Sequence, residues 1–356
     1  PLVDALTADI SLLRERLPKI VSRPAVREAL FVASPDLEES LDLWVQSPES
    51  ERGRRVEPAL VRYFARMAGR PTPFGLFAGC SAGTIGSETC LKLGGLENCE
   101  RHTRLDMDYL YSLATILARS SPLREELTYR PNNSLYRVGG KLHYAEARLN
   151  GKARSYHLVS VEPTDYLEAV LSRAEGGASV AELVQAVQTR EKDVTEQEVQ
   201  EFIADLIESQ ILVSDLAPGV TGQEPIHGIL AELRRHGSQK DVVKRLESVQ
   251  FALGEIDAGK LGHAPGKYRG IANELKALPA KLTISRLSQV DLHKPAPGLT
   301  IGREILSEVE RGVAVLHRMA IVPREGLLQR FREAFIERYD QREVPLVEVL
   351  DDEIGI

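Results

Sequence analysis

The sequence has little from which to build a disulfide scaffold or a zinc ribbon. Its 356 residues include three cysteines, Cys80, Cys90 and Cys99, and no two of them form a CxxC pair. A reducing compartment is the simpler setting for such a chain. Long apolar runs are missing too: none approaches the roughly 18 residues that a membrane-spanning helix needs. The N-terminal PLVDALTADISLL lacks the basic flank and unbroken apolar core of a signal peptide. The chain is therefore expected to be soluble and cytoplasmic. It contains no GxGxxG or GxxxxGK[ST] loop, no HExxH, no EF-hand, no GxSxG elbow and no kinase signature, which removes the motifs that name a reaction unaided. The eight histidines are dispersed. His143 and His157 fall on successive expected strands but lack a third ligand, so packing or surface roles are expected and no metal site.

A hydrophobic share of 43% and a charged share of 27% describe a folded protein, and the length suggests two or three packed subdomains. The formal charge is −7, from 45 Lys and Arg against 52 Asp and Glu, which argues against indiscriminate nucleic-acid binding. Locally the balance reverses. Between Glu51 and Arg70 stand Arg52, Arg54, Arg55, Arg62, Arg66 and Arg70 against only Glu51 and Glu57. In EPALVRYFARMAGR, Pro58 suits a first helical turn, and Leu60, Phe64 and Met67 repeat at helical spacing. Arg62, Arg66 and Arg70 then share another edge of that helix. The helix cannot pass Pro71, and PTPFGLFAGCSAG follows as a tight turn rich in glycine and proline. Arg66, Arg70 and Thr72 therefore stand out: arginine forks suit phosphate, and a hydroxyl beside turn amides can hold a further oxygen or relay a proton.

Elsewhere the pattern is mixed. The first 50 residues read as helices, with Thr7 or Asp9 as a cap before ISLLRERL, a helix in PDLEESLDLWVQS and a short strand in REALFVAS between them. MDYLYSLATILARS is helical, with Asp106 and Asp108 near its start, where capping is the default. Gly139-Gly140 and Asn150-Gly151 are hairpin turns joining strands near 134–138, 141–148 and 153–161. Three helices follow, one in PTDYLEAVLSRAE, one capped by Ser179 with Glu182, and one capped by Thr195 with Glu198, and then ILVSDL as a short strand. Residues 134–215 thus form a compact winged-helix-like unit. After the linker LAPGVTGQE come two long helices, a glycine-rich loop GKLGHAPGKYRGI, a strand emerging at Asp291 and His293, a helix in IGREILSEVERGVAVLHRMA, and a last helix with a short extended segment. The fold class expected is α+β, with antiparallel sheets, packed helices and the embedded winged-helix-like unit.

RMAGRPTPFGLFAG at 66–79 resembles the signature of the N-terminal glutamylation region of lantibiotic dehydratases, the class I lanthipeptide dehydratases. REALFVASPDLEESL at 27–41, RLDMDYL at 104–110, SQVDLHKPAPGL at 288–299 and the segment 331–356 resemble further blocks in the same order. The resemblance implies an enzyme that moves glutamate from glutamyl-tRNA to Ser or Thr of a ribosomally made precursor peptide, then eliminates it. No other cofactor is implied. By motif, Arg66, Arg70 and Thr72 resemble residues at the glutamylation site, with Arg62, Arg66 and Arg70 toward the tRNA phosphates, and Asp106 and Asp291 resemble family acids there. It further implies that the 134–215 unit takes the precursor's leader peptide as an added strand, with Arg154, Tyr156 and Leu158 at the docking edge. Residues 1–133 and 216–356 would then be two parts of the glutamylation domain. The precursor leader and glutamyl-tRNA are the implied partners, with a lanthipeptide cyclase and a second copy of the chain as further ones. The family's arginine-proline start is absent before PLVDAL, and the chain ends at DDEIGI where several hundred more residues are expected. A fragment inactive by itself is the expectation. The competing readings are a noncatalytic leader-binding protein and an aminoacyl-tRNA-dependent peptide ligase without elimination.

Overall fold

A computed structural model of the chain describes residues 2–150, 153–191, 193–320, 326–351 and 355–356. The chain divides into two compact units, one of residues 1–117 and 218–308 and the other of 118–217 and 309–356. It passes through each of them twice.

The first pass through the first unit lays down four helices, α1 (Leu2–Val21), α2 (Pro24–Ala33), α3 (Pro35–Gln46) and α4 (Glu51–Gly69). The strands β1 (Thr84–Gly86) and β2 (Glu100–Leu105) follow, and then helix α5 (Met107–Arg119). Three expectations change here. Thr7 and Asp9 cap nothing: α1 runs through both, and the Thr7 hydroxyl bonds back to the Val3 carbonyl at 2.8 Å. REALFVAS is helix rather than strand, because a short apolar run does not distinguish a buried helix from a buried strand, and Pro24 at the first turn of α2 decides it. Pro58 sits inside α4, which already starts at Glu51 where the Ser50 hydroxyl accepts the Gly53 amide at 3.0 Å.

In the second unit come α6 (Leu123–Glu126), β3 (Tyr129–Pro131), β4 (Tyr136–Val138), β5 (Lys141–Asn150) and β6 (Ala153–Val161). Helices α7 (Asp165–Ala174), α8 (Val180–Arg190) and α9 (Glu196–Glu208) and strand β7 (Leu212–Ser214) complete this pass. Both expected capping boxes form, Ser179 with Glu182 and Thr195 with Glu198. Gly139 and Gly140 both take positive φ, 59° and 80°, as a two-residue hairpin turn requires. The Asn150-Gly151 turn lies outside the described residues. Strand order is β4-β5-β6, all antiparallel, while β7 pairs with β3 in a separate ladder.

The chain then returns to the first unit through α10 (Pro225–Arg235), α11 (Lys240–Ala258), α12 (Pro265–Lys276), β8 (Ser288–His293) and β9 (Thr300–Gly302). The glycine-rich stretch expected as a loop holds the start of α12. Its inward side chains Tyr268, Ile271, Ala272 and Leu275 keep helical spacing, while Gly266 and Gly270 face open space. α13 (Arg303–Met319), α14 (Leu327–Tyr339) and α15 (Leu346–Val349) end the chain, the last replacing an expected extended segment. β2 pairs antiparallel with β8, and β1 pairs parallel with β9. The result is a mixed α+β fold of small sheets and packed helices. Among the described residues no helix is long and apolar enough to cross a membrane.

Leu17, Leu30, Leu41, Trp44, Leu60, Leu76, Phe77, Val290 and Leu292 meet in one apolar cluster of the first unit. It joins the apolar face of α4, the turn after it and the inner face of β8. Beneath the other strand, Arg101 and Glu28 form a fully buried ion pair. Tyr268 donates to Glu28 at 2.8 Å and the Gly262 amide at 2.6 Å, so the buried carboxylate has three donors. Burial among these groups pushes the Tyr268 phenol far above its usual range.

Candidate functional site

Helix α4 brings the arginine edge to the surface of the first unit. Arg62 and Arg70 are exposed and Arg66 is half-buried. The Arg66 guanidinium lies over the Phe74 ring, 4.2 Å from its centroid, which ties the helix edge to the turn that follows. Its Nε is buried with no hydrogen-bond partner. Among the described residues Arg62, Arg66 and Arg70 make no ion pair, whereas Arg55 on the same helix pairs with Glu51. Glu57 is likewise occupied, by Arg14 at 3.1 Å. The positive charge of this edge is therefore uncompensated by the protein, which suits an anion. Thr72 is exposed in the turn.

The turn itself is built by two glycines. Gly75 takes φ +50°, and the Phe77 amide closes back on the Phe74 carbonyl at 2.9 Å. Gly79 lies so close to β8 that a Cβ there would stand 2.5 Å from the Leu292 carbonyl. That approach lets the Cys80 amide donate to Leu292 at 2.9 Å and the Lys294 amide donate to Cys80 at 2.7 Å. The Ser81 hydroxyl adds a bond to the Lys294 carbonyl at 2.6 Å. The arginine edge, the turn and β8 are thus one hydrogen-bonded piece.

β8 carries Asp291 on the outward face of the β2–β8 ribbon. Along β2, Arg101, Thr103 and Leu105 point inward while Glu100, His102 and Arg104 point outward; along β8, Gln289, Asp291 and His293 point outward. Arg104 pairs with Asp291 at 3.0 Å, and His293 with Glu100 at 3.2 Å. His102, opposite Asp291 in register, bonds Glu224 instead.

Asp106 stands at the end of the same ribbon, its amide donating to the Leu287 carbonyl at 3.1 Å. Its carboxylate accepts the Asp108 amide at 3.0 Å and so caps α5. Four positions of ribbon separate Asp106 from the level of Asp291, about 13 Å along the strands, so the two acids do not form a carboxylate pair. Among the described residues neither of them bonds to Arg62, Arg66, Arg70 or Thr72. Arg104 is the residue that sequence reasoning passed over. It lies inside RLDMDYL, and the strand alternation that buries Arg101 and Thr103 is the signal that turns it outward.

The second unit holds Arg154, Tyr156 and Leu158 on β6, an edge strand. Tyr156 is 67% exposed and Leu158 44%. They share a face with Ala147 and Ala145, their partners on β5. The tight Gly139-Gly140 turn makes Val138 and Lys141 a hydrogen-bonded pair, so odd-numbered residues of β5 turn their backbone groups toward β4. Even-numbered residues of β5 bond β6, and Arg154, Tyr156, Leu158 and Ser160 consequently turn theirs to the outer edge.

The opposite edge is closed by side chains. Beyond β4, the Ala145 amide donates to Ser134 at 2.9 Å, the Ala147 amide to Gln210 Oε1 at 3.0 Å, and Gln210 Nε2 to the Ala147 carbonyl at 2.8 Å. Gln210 reaches there from a backbone with φ +63°. His143 and His157 do not meet, since their register partners are Ser160 and Glu146. His143 is buried against Tyr136, ring centroids 5.3 Å apart, and 3.2 Å from Asp351.

The family model for the N terminus of lantibiotic dehydratases matches residues 22–356. The chain belongs to this family. The subtilin biosynthesis protein SpaB of Bacillus subtilis is 23% identical over 336 residues, 93% of this chain and 32% of its own length. The nisin biosynthesis protein NisB of Lactococcus lactis subsp. lactis is 21% identical over 332 residues, 92% of this chain and 32% of its own. Among solved structures, the tRNA-dependent lantibiotic dehydratase MibB from Microbispora sp. 107891 is similar with a TM-score of 0.75 and 27% identity, over 96% of this chain and 34% of MibB. The glutamylation domain of TbtB from thiomuracin biosynthesis shares the fold at a TM-score of 0.63 and 16% identity, over 96% of this chain and 41% of that one. The chain thus spans about a third of the length of the curated relatives it matches.

Proposed function

We propose that the chain forms part of a dehydratase that transfers glutamate from glutamyl-tRNA to Ser or Thr side chains of a lanthipeptide precursor, before the glutamate is eliminated. The observation that carries this reading is the uncompensated edge of Arg62, Arg66 and Arg70, running into a turn that is bonded to the strand of Asp291. Arg62 and Arg70 are exposed, and their guanidinium forks suit a phosphate or carboxylate oxygen. In the reaction, the arginines hold the anionic tRNA end, Thr72 and the ribbon acids orient the hydroxyl and the ester, and the arginines stabilise the charge developing on the ester oxygen. Glutamyl-tRNA is the co-substrate.

The same reading gives residues 134–215, as a winged-helix-like unit, the task of holding the precursor leader. The open outer edge of β6 supports it, because an extended peptide can add there through the backbone groups of Tyr156, Leu158 and Ser160. Ser134 and Gln210 bond the backbone of β5 beyond β4, which blocks strand addition along that stretch.

Mass spectrometry of the intact enzyme, incubated with precursor and glutamyl-tRNA, tests the proposal. Glutamyl adducts or dehydrated residues are expected, and Arg70→Ala should slow transfer by at least about tenfold with leader affinity unchanged. Adducts that accumulate without dehydration indicate transfer without elimination. The absence of both products would overturn the reading, and wild-type transfer by Arg70→Ala would remove the arginine edge from it.

A further inference from the structure

The outward face of the β2–β8 ribbon holds Asp291 by one contact. Arg104 Nη1 lies 3.0 Å from Asp291 Oδ2. Its other nitrogens are spent on the neighbouring side chain of the same strand: Nε and Nη2 both donate to Gln289 Oε1, at 3.3 and 3.2 Å. Arg104 is directly opposite Gln289 in register and diagonal to Asp291. A guanidinium is planar, so fixing two of its nitrogens on Gln289 fixes the direction of the third. The carboxylate is approached most closely at Oδ2, and among the described residues this ion pair is the one charged contact it has.

We propose that Arg104 is a positioning residue for Asp291, its ion pair holding the carboxylate in one orientation for the transfer step. This rests on the proposed role of Asp291 in glutamyl transfer. Without Arg104 an exposed aspartate on a strand turns freely about χ1 and χ2, and its oxygens sample many directions. Positioning of that kind acts on the rate of the bound complex rather than on its formation.

A double-mutant cycle in the intact enzyme tests this through single-turnover transfer rates and separately measured affinities for leader and glutamyl-tRNA. Arg104→Met should lower the single-turnover rate on the order of tenfold and leave both affinities unchanged. In an Asp291→Asn background it should cost nothing more. Arg104→Lys keeps the charge but not the fork and should recover part of the rate. It also carries the same cycle if circular dichroism shows the Met variant misfolded. Full additivity of Arg104→Met with Asp291→Asn would overturn the proposal. So would a wild-type rate for Arg104→Met beside an impaired Asp291→Asn, or an effect confined to affinity. A wild-type rate for Asp291→Asn would instead sink the reading of Asp291 on which the proposal rests.

Discussion

The β2–β8 and β5–β6 ribbons are both antiparallel pairs, yet they offer different kinds of group to their surroundings. β2–β8 presents side chains: Glu100, His102, Arg104, Gln289, Asp291 and His293 stand in two rows, and several bond one another across the strands. Its backbone is engaged, since Cys80 and Lys294 extend the ladder beyond β8. β5–β6 presents backbone, with Tyr156, Leu158 and Ser160 turned to an open edge. Side chains fixed in space suit chemistry on a defined group, whereas a free edge suits a peptide whose residues vary. The anchoring differs as well. The first ribbon rests on a buried ion pair, the second on Tyr144, whose hydroxyl donates to the Ser209 carbonyl at 2.8 Å.

The contrast in anchoring is broken most directly at Arg101. Arg101→Leu strands Glu28 as a buried carboxylate and should cost about 3–5 kcal/mol, against about 1 kcal/mol for Tyr144→Phe. Urea denaturation of the two variants gives the comparison, and equal losses would show that the buried pair is no special anchor.

A smaller effect should separate the faces. The Leu158 amide points away from β5, so Leu158→Pro removes an outward donor without breaking the β5–β6 ladder. Leader affinity should fall about tenfold, roughly one backbone hydrogen bond, with thermal stability close to that of the parent. Calorimetric titration with a leader peptide measures it, and unchanged affinity would rule out strand addition at this edge.

The smallest effect concerns acid. Backbone and hydroxyl donation by Ser179 holds the Glu182 carboxylate below its usual value, and the hydroxyl and amide of Thr195 do the same for Glu198. A carboxylate lowered in the folded state stabilises above its unfolded value, and the contribution fades as pH falls through the lowered folded value. Protection from amide exchange, relative to the intrinsic rate at each pH, should therefore fall at the starts of α8 and α9 below about pH 4. Glu182→Gln and Glu198→Gln should flatten that response. A pH profile identical in parent and variants would refute the assignment.

What could be read in the sequence was local. Gly139-Gly140 announces its hairpin because each residue must take positive φ, and the two capping boxes announce α8 and α9 because their partners are three residues apart. REALFVAS was ambiguous because burial on several sides erases periodicity, and Glu28 within it is explained only by Arg101, far along the chain. Long-range closure left no local mark: nothing in TIG at 84–86 points to its parallel partner at 300–302, and nothing near Ala147 points to Gln210. At the candidate site, the arginine edge and the turn were legible as spacing. The grip of Arg104 on Asp291 depends on the register of strands that the sequence keeps apart.

That separation also sets a clock. Glu100 pairs with His293, about 190 residues later, and ribosomes add roughly 5–20 residues per second. During synthesis β2 therefore waits on the order of 10–40 seconds for its partner strand. Residues 118–217 are made in that interval, and the packing of β4, β5 and β6 with one another and of α7, α8 and α9 with one another is local enough to form first. The edge of β6 can exist on a nascent chain before the ribbon of Asp291 does.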